Sequence, residues 1–318
     1  MKEQKLVVSK DDGGKRIDRW LAERLPGMSR SQIQRLLKAG DITVDGRTVE
    51  PDRKTVPGMT ACVGMPERQV LVLIPEAIPL DIIFEDKDLI VINKKPGMVV
   101  HPAVGHYTGT LVNALLHHFG DLPGEPGGLR PGIVHRLDKN TTGLLVAAKN
   151  EGAMMRLSRQ FKDRKVDKEY LAVVWGKPAK GFGRIETRIG RSSHDRKKMA
   201  VHRLAGRPAV SSYETVETLG AGMSLLSVRI ETGRTHQIRV HLAHIGHPVV
   251  GDADYGGRRR DSPVAVDRQM LHAARLAFNH PVTRERLEFI APMPDDMNSL
   301  IEAARISKGE KNGKRVQN

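Results

Sequence analysis

The sequence predicts an α+β protein with a small N-terminal domain and a larger domain built on a mixed, mainly antiparallel sheet. The length of 318 residues favours about two domains at roughly 150 residues each. A proline-punctuated stretch with Pro57, Pro66, Pro75 and Pro79 separates an early helix-and-hairpin pattern from the rest of the chain. Beyond residue 80, short runs rich in Val, Ile, Thr and Tyr do not alternate regularly with helices, which disfavours a doubly wound fold.

These observations set the expected domain boundaries. The first domain is predicted over 15–74, a linker over 75–79, and the larger domain over 80–306. The last residues, 307–318, are polar and rich in lysine, which favours a basic, flexible tail.

Composition restricts the class of protein. Lys and Arg number 52 against 37 Asp and Glu, and the formal net charge of +15 favours a polyanionic partner such as nucleic acid. The single cysteine, Cys62, excludes an internal disulfide framework and a cysteine-based zinc site. No apolar run approaches the roughly 18 residues of a membrane helix, and no signal-peptide pattern is present. We therefore expect a cytoplasmic protein without membrane contact.

The N-terminal domain contains a well-marked helix. Ser29 and Gln32 have the spacing of a capping box, and Gly40 stands where a left-handed C-terminal cap is needed. Between them, apolar residues share one helical face while Arg30 and Lys38 lie on the other. These two cations belong either to a solvated face or to an RNA-binding surface.

A hairpin is expected directly after this helix. The pair Asp45-Gly46 separates β-rich residues 42–44 from 47–49, which is a strong hairpin pattern. Together with residues 16–18 and the capped helix, this segment resembles the S4 RNA-binding domain. The resemblance implies that the helix and the hairpin lie on structured RNA.

The larger domain has several predicted elements. Strands are expected over 88–93, 143–148, 169–175, 209–217 and 224–231. Helices are expected over 110–118, 151–162 and 235–245. Because the strands cluster together, we expect a mixed, mainly antiparallel sheet.

A polar loop precedes the predicted strand at 143–148. It reads HRLDKNTTG over 135–143, and polar loops on rigid strands are common places for active sites. Considered by itself, Asp138 is either a reactive carboxylate or a brace that fixes the loop through Arg136.

The whole string over 135–143 resembles the signature loop of the RluA family of pseudouridine synthases. Three further stretches agree with that family in the same order, namely 93–102, 168–172 and 232–241, the last continuing to residue 256. The resemblance covers about residues 80–292. It implies a pseudouridine synthase catalytic domain that acts on RNA without a cofactor.

The resemblance also implies roles for individual residues. Asp138 is the catalytic residue, and Arg239 pairs with it and keeps it oriented. Arg136 helps to hold the RNA with the target base flipped out of its stack. Tyr170 stacks on the uracil and later accepts a proton from C5, although its residue type by itself fits an aromatic core residue equally well. Three routes remain open for Asp138: attack on C6 of the ring, attack on C1′ of the sugar, or removal of a sugar proton to form a glycal.

Two details are similar to the members of that family that modify large-subunit ribosomal RNA. These are Thr142 before the loop glycine and the stretch 198–201. They imply a cluster of target uridines in the stem-loop that meets the small subunit, and we expect the enzyme to be a monomer. Arg196, Lys197 and Lys198 belong to a basic stretch that is either a solvated surface or part of an RNA track.

Two other functions compete with this interpretation. A non-catalytic RNA-binding assembly factor would share the charge and the S4-like module, but it would not need a carboxylate beside an arginine and a tyrosine. His236, His241, His244 and His247 suggest a metal-dependent hydrolase. No HExxH motif accompanies them, and the acid Asp252 lies beyond a proline and a glycine. We therefore expect no metal ion. The glycine-rich loop 120–128 has neither a Walker lysine nor a GxGxxG pattern, so we expect no nucleotide cofactor either.

Overall fold

A computed structural model describes residues 3–26, 28–64, 73–102, 106–124, 130–257 and 262–315. The chain divides into two compact units, Met1–Leu71 and Val72–Asn318. Each unit has a hydrophobic core of its own.

The N-terminal unit combines two helices with a three-stranded antiparallel sheet. Its elements are β1 (Glu3–Val7), α1 (Ile17–Arg24), α2 (Arg30–Ala39), β2 (Ile42–Val44) and β3 (Thr60–Gly64). The strand order is β1-β3-β2. Ile33 and Leu37 of α2 are buried in one cluster with Trp20 of α1. The apolar face predicted for α2 is therefore its inner face.

Both predicted ends of α2 are confirmed. The Ser29 hydroxyl accepts from the Gln32 backbone N–H, and the Gln32 side chain accepts from the Ser29 N–H at 2.7 Å. Gly40 ends the helix with a φ of 82°, in the left-handed region that glycine enters without strain.

The predicted hairpin is only partly correct. Asp45 and Gly46 form the turn, with φ angles of 50° and 75°, but residues 47–49 do not continue as a strand. Instead β2 pairs with β3. The reason lies in Asp45, whose backbone N–H donates to Thr60 O at 2.9 Å and whose Oδ1 accepts from the Thr60 N–H at 2.8 Å. These bonds fix the start of β3 beside the turn.

The described part of the larger unit has ten strands and four helices. The strands are β4 (Ile82–Glu85), β5 (Leu89–Lys94), β6 (Thr142–Ala148), β7 (Asp167–Trp175), β8 (Phe182–Arg191), β9 (Met199–His202), β10 (Arg207–Thr218), β11 (Met223–Ile230), β12 (Leu271–Asn279) and β13 (Arg286–Ile290). The helices are α3 (Leu111–Phe119), α4 (Glu151–Lys162), α5 (Gln237–His244) and α6 (Asp295–Arg315). Every predicted helix and strand of this unit is present, with each end within two residues of the prediction.

All ten strands form one sheet in the order β4-β5-β6-β12-β7-β11-β10-β8-β9, with β13 pairing to β12. Among the described strand pairs of this sheet, only β6 with β12 is parallel. The predicted mixed, mainly antiparallel sheet is confirmed. Sequence reasoning missed β4, β8, β9, β12 and β13. Charged residues occupy many positions of β8 and β13, so the local sequence has little preference for a strand there. These two strands form because they pair with neighbouring strands.

Helices cover both faces of the sheet. Ile90 and Ile92 of β5 belong to the cluster that includes apolar residues of α3 and α5. Leu89 and Val91 of the same strand belong to the cluster beneath α4, and α6 packs on a third cluster. Because the central strands are buried on both sides, β5 and β6 each contain an uninterrupted apolar run, over 89–92 and 144–148. None of the described helices is both long enough and apolar enough to cross a bilayer.

The two segments that flank the predicted catalytic domain differ from the prediction. The segment before it is hydrogen-bonded to it, and the segment after it continues a helix. The Glu76 N–H donates to Asn113 O at 3.0 Å, and its carboxylate accepts from the Gly109 N–H at 2.9 Å. The segment predicted as a linker, 75–79, is thus attached to the start of α3. At the other end, α6 is helical as far as Arg315, which differs from the flexible tail predicted over 307–318.

Candidate active site

The larger unit contains a cleft of about 530 Å³. The loop 133–138, part of β7 and the segment 230–239 line it. Four side chains named from the sequence lie in this lining, namely Arg136, Asp138, Tyr170 and Arg239. Asp138 and Arg239 are 101 residues apart in the chain, so the fold brings them together.

Three adjacent strands place the Asp138 loop beside Tyr170. Gly143 of β6 lies opposite Ala273 of β12, and Ala273 lies opposite Tyr170 of β7. Gly143 has a φ of +107°, and a Cβ built on it would lie 2.3 Å from Ala273 O. Only glycine fits this approach of the two backbones. The loop glycine therefore lets Asp138 emerge next to the strand that carries Tyr170.

Arg239, on α5, joins Asp138 to two further carboxylates. Its Nη1 donates to Asp138 Oδ2 at 3.2 Å. Its Nε and Nη2 donate to the two oxygens of Asp252 at 2.7 and 2.9 Å, and Nη2 also donates to Asp254 Oδ2 at 2.6 Å. Burial alone would lower the pKa of Arg239, but the hydrogen bonds to Asp252 and the nearby carboxylate charges raise it. A charged, fixed guanidinium therefore orients the Asp138 carboxylate.

Tyr255 supports the same guanidinium from its ring face. The Cζ of Arg239 lies 5.0 Å from the centroid of the Tyr255 ring. The Tyr255 hydroxyl accepts from the Met199 N–H at 2.9 Å and lies 2.8 Å from His236 Nδ1. The other ring nitrogen of His236 lies 4.0 Å from Asp138 Oδ2. Tyr255 lies in the last family motif, but its role was not predictable from the sequence, because its contacts depend on the tertiary structure.

Tyr170 is almost completely buried in the cleft wall. Burial, together with the negative charge of Asp138, raises the pKa of its hydroxyl well above the usual value. The phenol is therefore neutral. A neutral ring suits stacking against a base, whereas the predicted role as acceptor of the C5 proton would need the ionised phenolate, which the raised pKa disfavours.

Comparisons with known proteins show what kind of enzyme this site belongs to. Residues 88–244 match the family described as RNA pseudouridylate synthase, and residues 15–60 match the S4 domain. A Bacillus subtilis (strain 168) protein named "Uncharacterized RNA pseudouridine synthase YlyB" is 44% identical, over 94% of this chain and 97% of its own. The chain belongs to the RNA pseudouridylate synthase family.

Other relatives of the synthase agree. "Ribosomal large subunit pseudouridine synthase D" of Yersinia pestis is 42% identical, over 96% of this chain and 95% of its own. The solved structure of "Human RNA Pseudouridylate Synthase Domain Containing 1" aligns with a TM-score of 0.56 and 30% identity, over 71% of this chain and 89% of that one. The predicted family, enzyme class and S4 domain are confirmed.

Buried contacts fix the Asp138 loop of the synthase. His135 Nε2 accepts from a backbone N–H of β6 at 3.0 Å, and its ring stacks on Phe161 with centroids 4.5 Å apart. Burial lowers the pKa of His135 to about 3, so the ring is neutral and able to accept this bond. Thr142 Oγ1 lies 2.9 Å from His272 Nδ1. The loop is therefore held to the sheet at both ends.

Lys94, at the end of β5, anchors the chain beside Asp138. Its Nζ donates to the backbone oxygens of Lys95, Met98 and Lys139 at 2.8, 3.0 and 3.0 Å. Burial lowers the pKa of Lys94 to about 7, while the charge of Asp138 favours the ammonium form. Lys94 lies in the first family motif, and its role was not predictable from the sequence. Its contact with Lys139 makes it a positioning residue for the loop.

The predicted RNA contacts differ in their surroundings. Lys38, Arg136, Arg196 and Lys197 are exposed, and their side chains make no hydrogen bond or ion pair with any residue that the structure describes. They are free to meet RNA, and their role stays a prediction. The synthase has further cations in the cleft lining that sequence reasoning missed, because they come from separate elements: Arg130, Lys162, Arg164, Lys168 and Arg234.

Two predicted RNA contacts have partners within the protein. Arg30 donates to both carboxylate oxygens of the buried Asp18, at 3.0 and 3.3 Å, although its side chain is half-exposed. Lys198 Nζ donates to Asp254 O at 2.9 Å. Lys198 therefore ties the loop after β8 to the segment that binds Arg239, a structural role that the sequence did not suggest.

The histidines considered as metal ligands do not converge. His241 is fully buried, and its two ring nitrogens each lie 2.9 Å from a hydroxyl, of Ser211 and of Thr187. Among the described residues, the group with metal-ligand spacing is Asp86, Asp88 and His280, which does not line the cleft.

That second group is better explained by hydrogen bonding than by a metal ion. His280 Nδ1 accepts from two backbone N–H groups, of Val282 at 3.2 Å and of Thr283 at 3.0 Å. In a neutral ring the proton is therefore on Nε2, which donates to Asp86 Oδ2 at 2.8 Å. A metal ion would need a lone pair at Nε2, so these residues do not fit one.

Proposed function

We propose that the synthase isomerises specific uridines of large-subunit ribosomal RNA to pseudouridine, with Asp138 as the catalytic carboxylate. The observation that carries the proposal is the contact of Asp138 with Arg239 in a cleft that also holds Tyr170. Relatives of Yersinia pestis and Vibrio parahaemolyticus that align over nearly the whole chain are named for the large ribosomal subunit. Their names support this substrate.

The reaction breaks the N-glycosidic bond between N1 and C1′, turns the uracil, and joins C5 of the base to C1′ of the sugar. The C5 hydrogen is lost as a proton and N1 takes up a proton, so the atoms balance. Asp138 can start it by adding to C6, by bonding to C1′ as the uracil leaves, or by removing a sugar proton to form a glycal. Arg239 holds Asp138 Oδ2. No described residue donates a hydrogen bond to Oδ1, which leaves that oxygen for the substrate.

The cleft walls suit a base that has left its stack. The neutral ring of Tyr170 offers a flat surface for the uracil. Arg136 lies at the cleft with its guanidinium exposed, in position to contact the RNA in the flipped state. None of these steps needs a metal ion or a nucleotide cofactor, because the carboxylate supplies the reactive group itself.

We infer that the synthase selects its substrate through contacts with RNA phosphates that lie away from the reacting base. Lys38 with Arg30 in the S4 domain, and Arg196 with Lys197 after β8, present cations to RNA. We infer that they dock the stem-loop of the large subunit that meets the small subunit. We propose that the enzyme acts as a monomer.

Tritium release from transcribed large-subunit RNA that carries 5-tritiated uridine tests the proposal under single-turnover conditions. Asp138→Asn keeps the size of the side chain but removes its charge, so release should vanish while RNA binding stays within a few-fold. Full release by Asp138→Asn would contradict the catalytic role. Equal release from small-subunit RNA would contradict the substrate. Carbodiimide mapping of RNA from a host that lacks the protein then locates the uridines.

A further inference from the structure

Lys168 is a buried cation in the cleft that the proposed chemistry does not use. It lies on β7 two residues before Tyr170, and alternate residues of a strand point to the same face about 7 Å apart. Both residues line the cleft. Only 9% of Lys168 is exposed, so its ammonium is directed into the cleft rather than towards open solvent.

The Lys168 ammonium has no anionic partner among the described residues. It makes no hydrogen bond and no ion pair with them, and its recorded neighbour is the Phe161 ring, 5.7 Å from Nζ to centroid. The adjacent carboxylate, Asp167, pairs with Arg286 instead. Burial lowers the pKa of Lys168 to about 8, partly offset by the charge of Asp167. A buried charge without a partner is unfavourable, which indicates that a ligand supplies the partner.

The surroundings specify the charge of that ligand. Lys162, Arg164 and Arg234 line the same cleft. The acids in the described lining are already paired, Asp138 with Arg239, and Glu231 with both Arg184 and Arg164. Lys162, Lys168 and Arg234 form no ion pair with a described residue. A wall with this excess of cations binds an anion, and the anion that every RNA substrate carries is its backbone phosphate.

We propose that Lys168 binds a backbone phosphate next to the flipped uridine, on the side of the cleft formed by β7. This inference rests on the proposed function, since it takes the ligand to be the RNA substrate. Lys168 would thus be a binding residue that holds the nucleotide while its base lies between Asp138 and Tyr170.

Three variants test the assignment. Lys168→Met removes the charge with little change of shape, Lys168→Arg keeps the charge, and Lys177→Met removes a lysine that is exposed beyond the other end of β7. Affinity for a transcribed target stem-loop is measured over a series of salt concentrations, in the Asp138→Asn background so that no turnover occurs. Lys168→Met should bind about tenfold more weakly, with a salt slope shallower by about 0.7 to 0.9, the effect of one phosphate contact. Lys168→Arg and Lys177→Met should bind within about threefold of the parent.

A neutral methylphosphonate at each phosphate beside the target uridine locates the contact. At one of these positions the methylphosphonate should weaken RNA binding by the parent protein but not RNA binding by Lys168→Met. The thermal midpoint of Lys168→Met should equal or exceed that of the parent, because a buried unpaired charge is lost. Unchanged affinity and salt slope in Lys168→Met would overturn the assignment, as would weaker binding with an unchanged slope. A protein with Asp138 intact that binds the RNA but releases no tritium would instead contradict the proposed function.

Discussion

Arg239 donates to Asp138 over 3.2 Å while the fully buried Asp252 holds two other nitrogens of the same guanidinium. The bidentate contact with Asp252 fixes the plane of the guanidinium. Nη1 is thereby directed at Asp138. The orientation of the proposed catalytic carboxylate thus depends on a second acid that need not touch the substrate.

Two acids that bind Arg239 should therefore differ in importance. Asp252→Asn removes the charge of the buried partner and should destabilise the synthase by about 3 kcal/mol. Asp254 is 44% exposed, and Asp254→Asn should change stability by less than about 1 kcal/mol. Urea unfolding measures stability, and single-turnover tritium release measures activity. Equal losses of stability in Asp252→Asn and Asp254→Asn would show that burial of the carboxylate does not determine its contribution.

Tyr255→Phe tests the support beneath Arg239. The substitution removes the hydroxyl that accepts from Met199 and contacts His236, but it keeps the ring against the guanidinium. We expect a loss of about 1 kcal/mol in stability and a single-turnover rate reduced by about tenfold, with RNA affinity unchanged. Tyr255→Leu, which also removes the ring, should reduce the rate further. A rate for Tyr255→Phe equal to that of the parent would show that Arg239 is held without the hydroxyl.

Asp18 should make the S4 domain sensitive to acid. Burial alone would raise the pKa of this carboxyl, but hydrogen bonds from Arg16, Gln34 and Arg30 lower it well below its usual value. Because the pKa is lower in the folded than in the unfolded state, Asp18 stabilises the domain above about pH 4, and this stabilisation is lost as the pH falls further.

Tryptophan fluorescence can follow this effect, because the chain has two tryptophans and Trp20 lies in the S4 domain. In a Trp175→Phe background, Asp18→Asn should lower the domain's stability at neutral pH by about 2 kcal/mol and should reduce its loss on acidification. Asp11→Asn, at an exposed position of the same domain, serves as the control. Identical acid profiles for parent and Asp18→Asn would rule out this role.

Removal of residues 1–71 should separate RNA affinity from chemistry. The two units have cores of their own, so the remaining chain should stay folded by circular dichroism. Affinity for long structured RNA should fall and its salt slope should become shallower, because fewer phosphates are neutralised. Tritium release at saturating RNA should persist. If the truncated protein bound RNA with the same affinity and the same salt slope as the full chain, the proposed role of Lys38 and Arg30 in RNA binding would be contradicted.

The sequence by itself determined the elements that carry strong local signals and indicated which residues belong to the candidate site. Capping at Ser29 and Gly40 and the apolar runs of β5 and β6 are local signals, so α2 and the central strands were predictable. The string over 135–143 singled out Asp138 as a candidate, because as a whole it resembles the signature loop of the pseudouridine synthases. The charge of +15 likewise indicated a nucleic-acid partner, since net charge depends on composition alone.

The tertiary structure decided which side chains meet. β12 lies between β6 and β7 in the sheet, although it follows them in the chain by about a hundred residues. Its residue Ala273 pairs with Gly143 on one side and with Tyr170 on the other, which brings these two residues into line. The partners of Arg239 depend on contacts across strands, which no local pattern encodes. The same holds for Lys168, which has no anionic partner among the described residues. Periodicity reports the face on which a residue lies. Charge pairing and burial, which set the chemistry of Asp138 and Lys168, depend on neighbours that only the folded chain supplies.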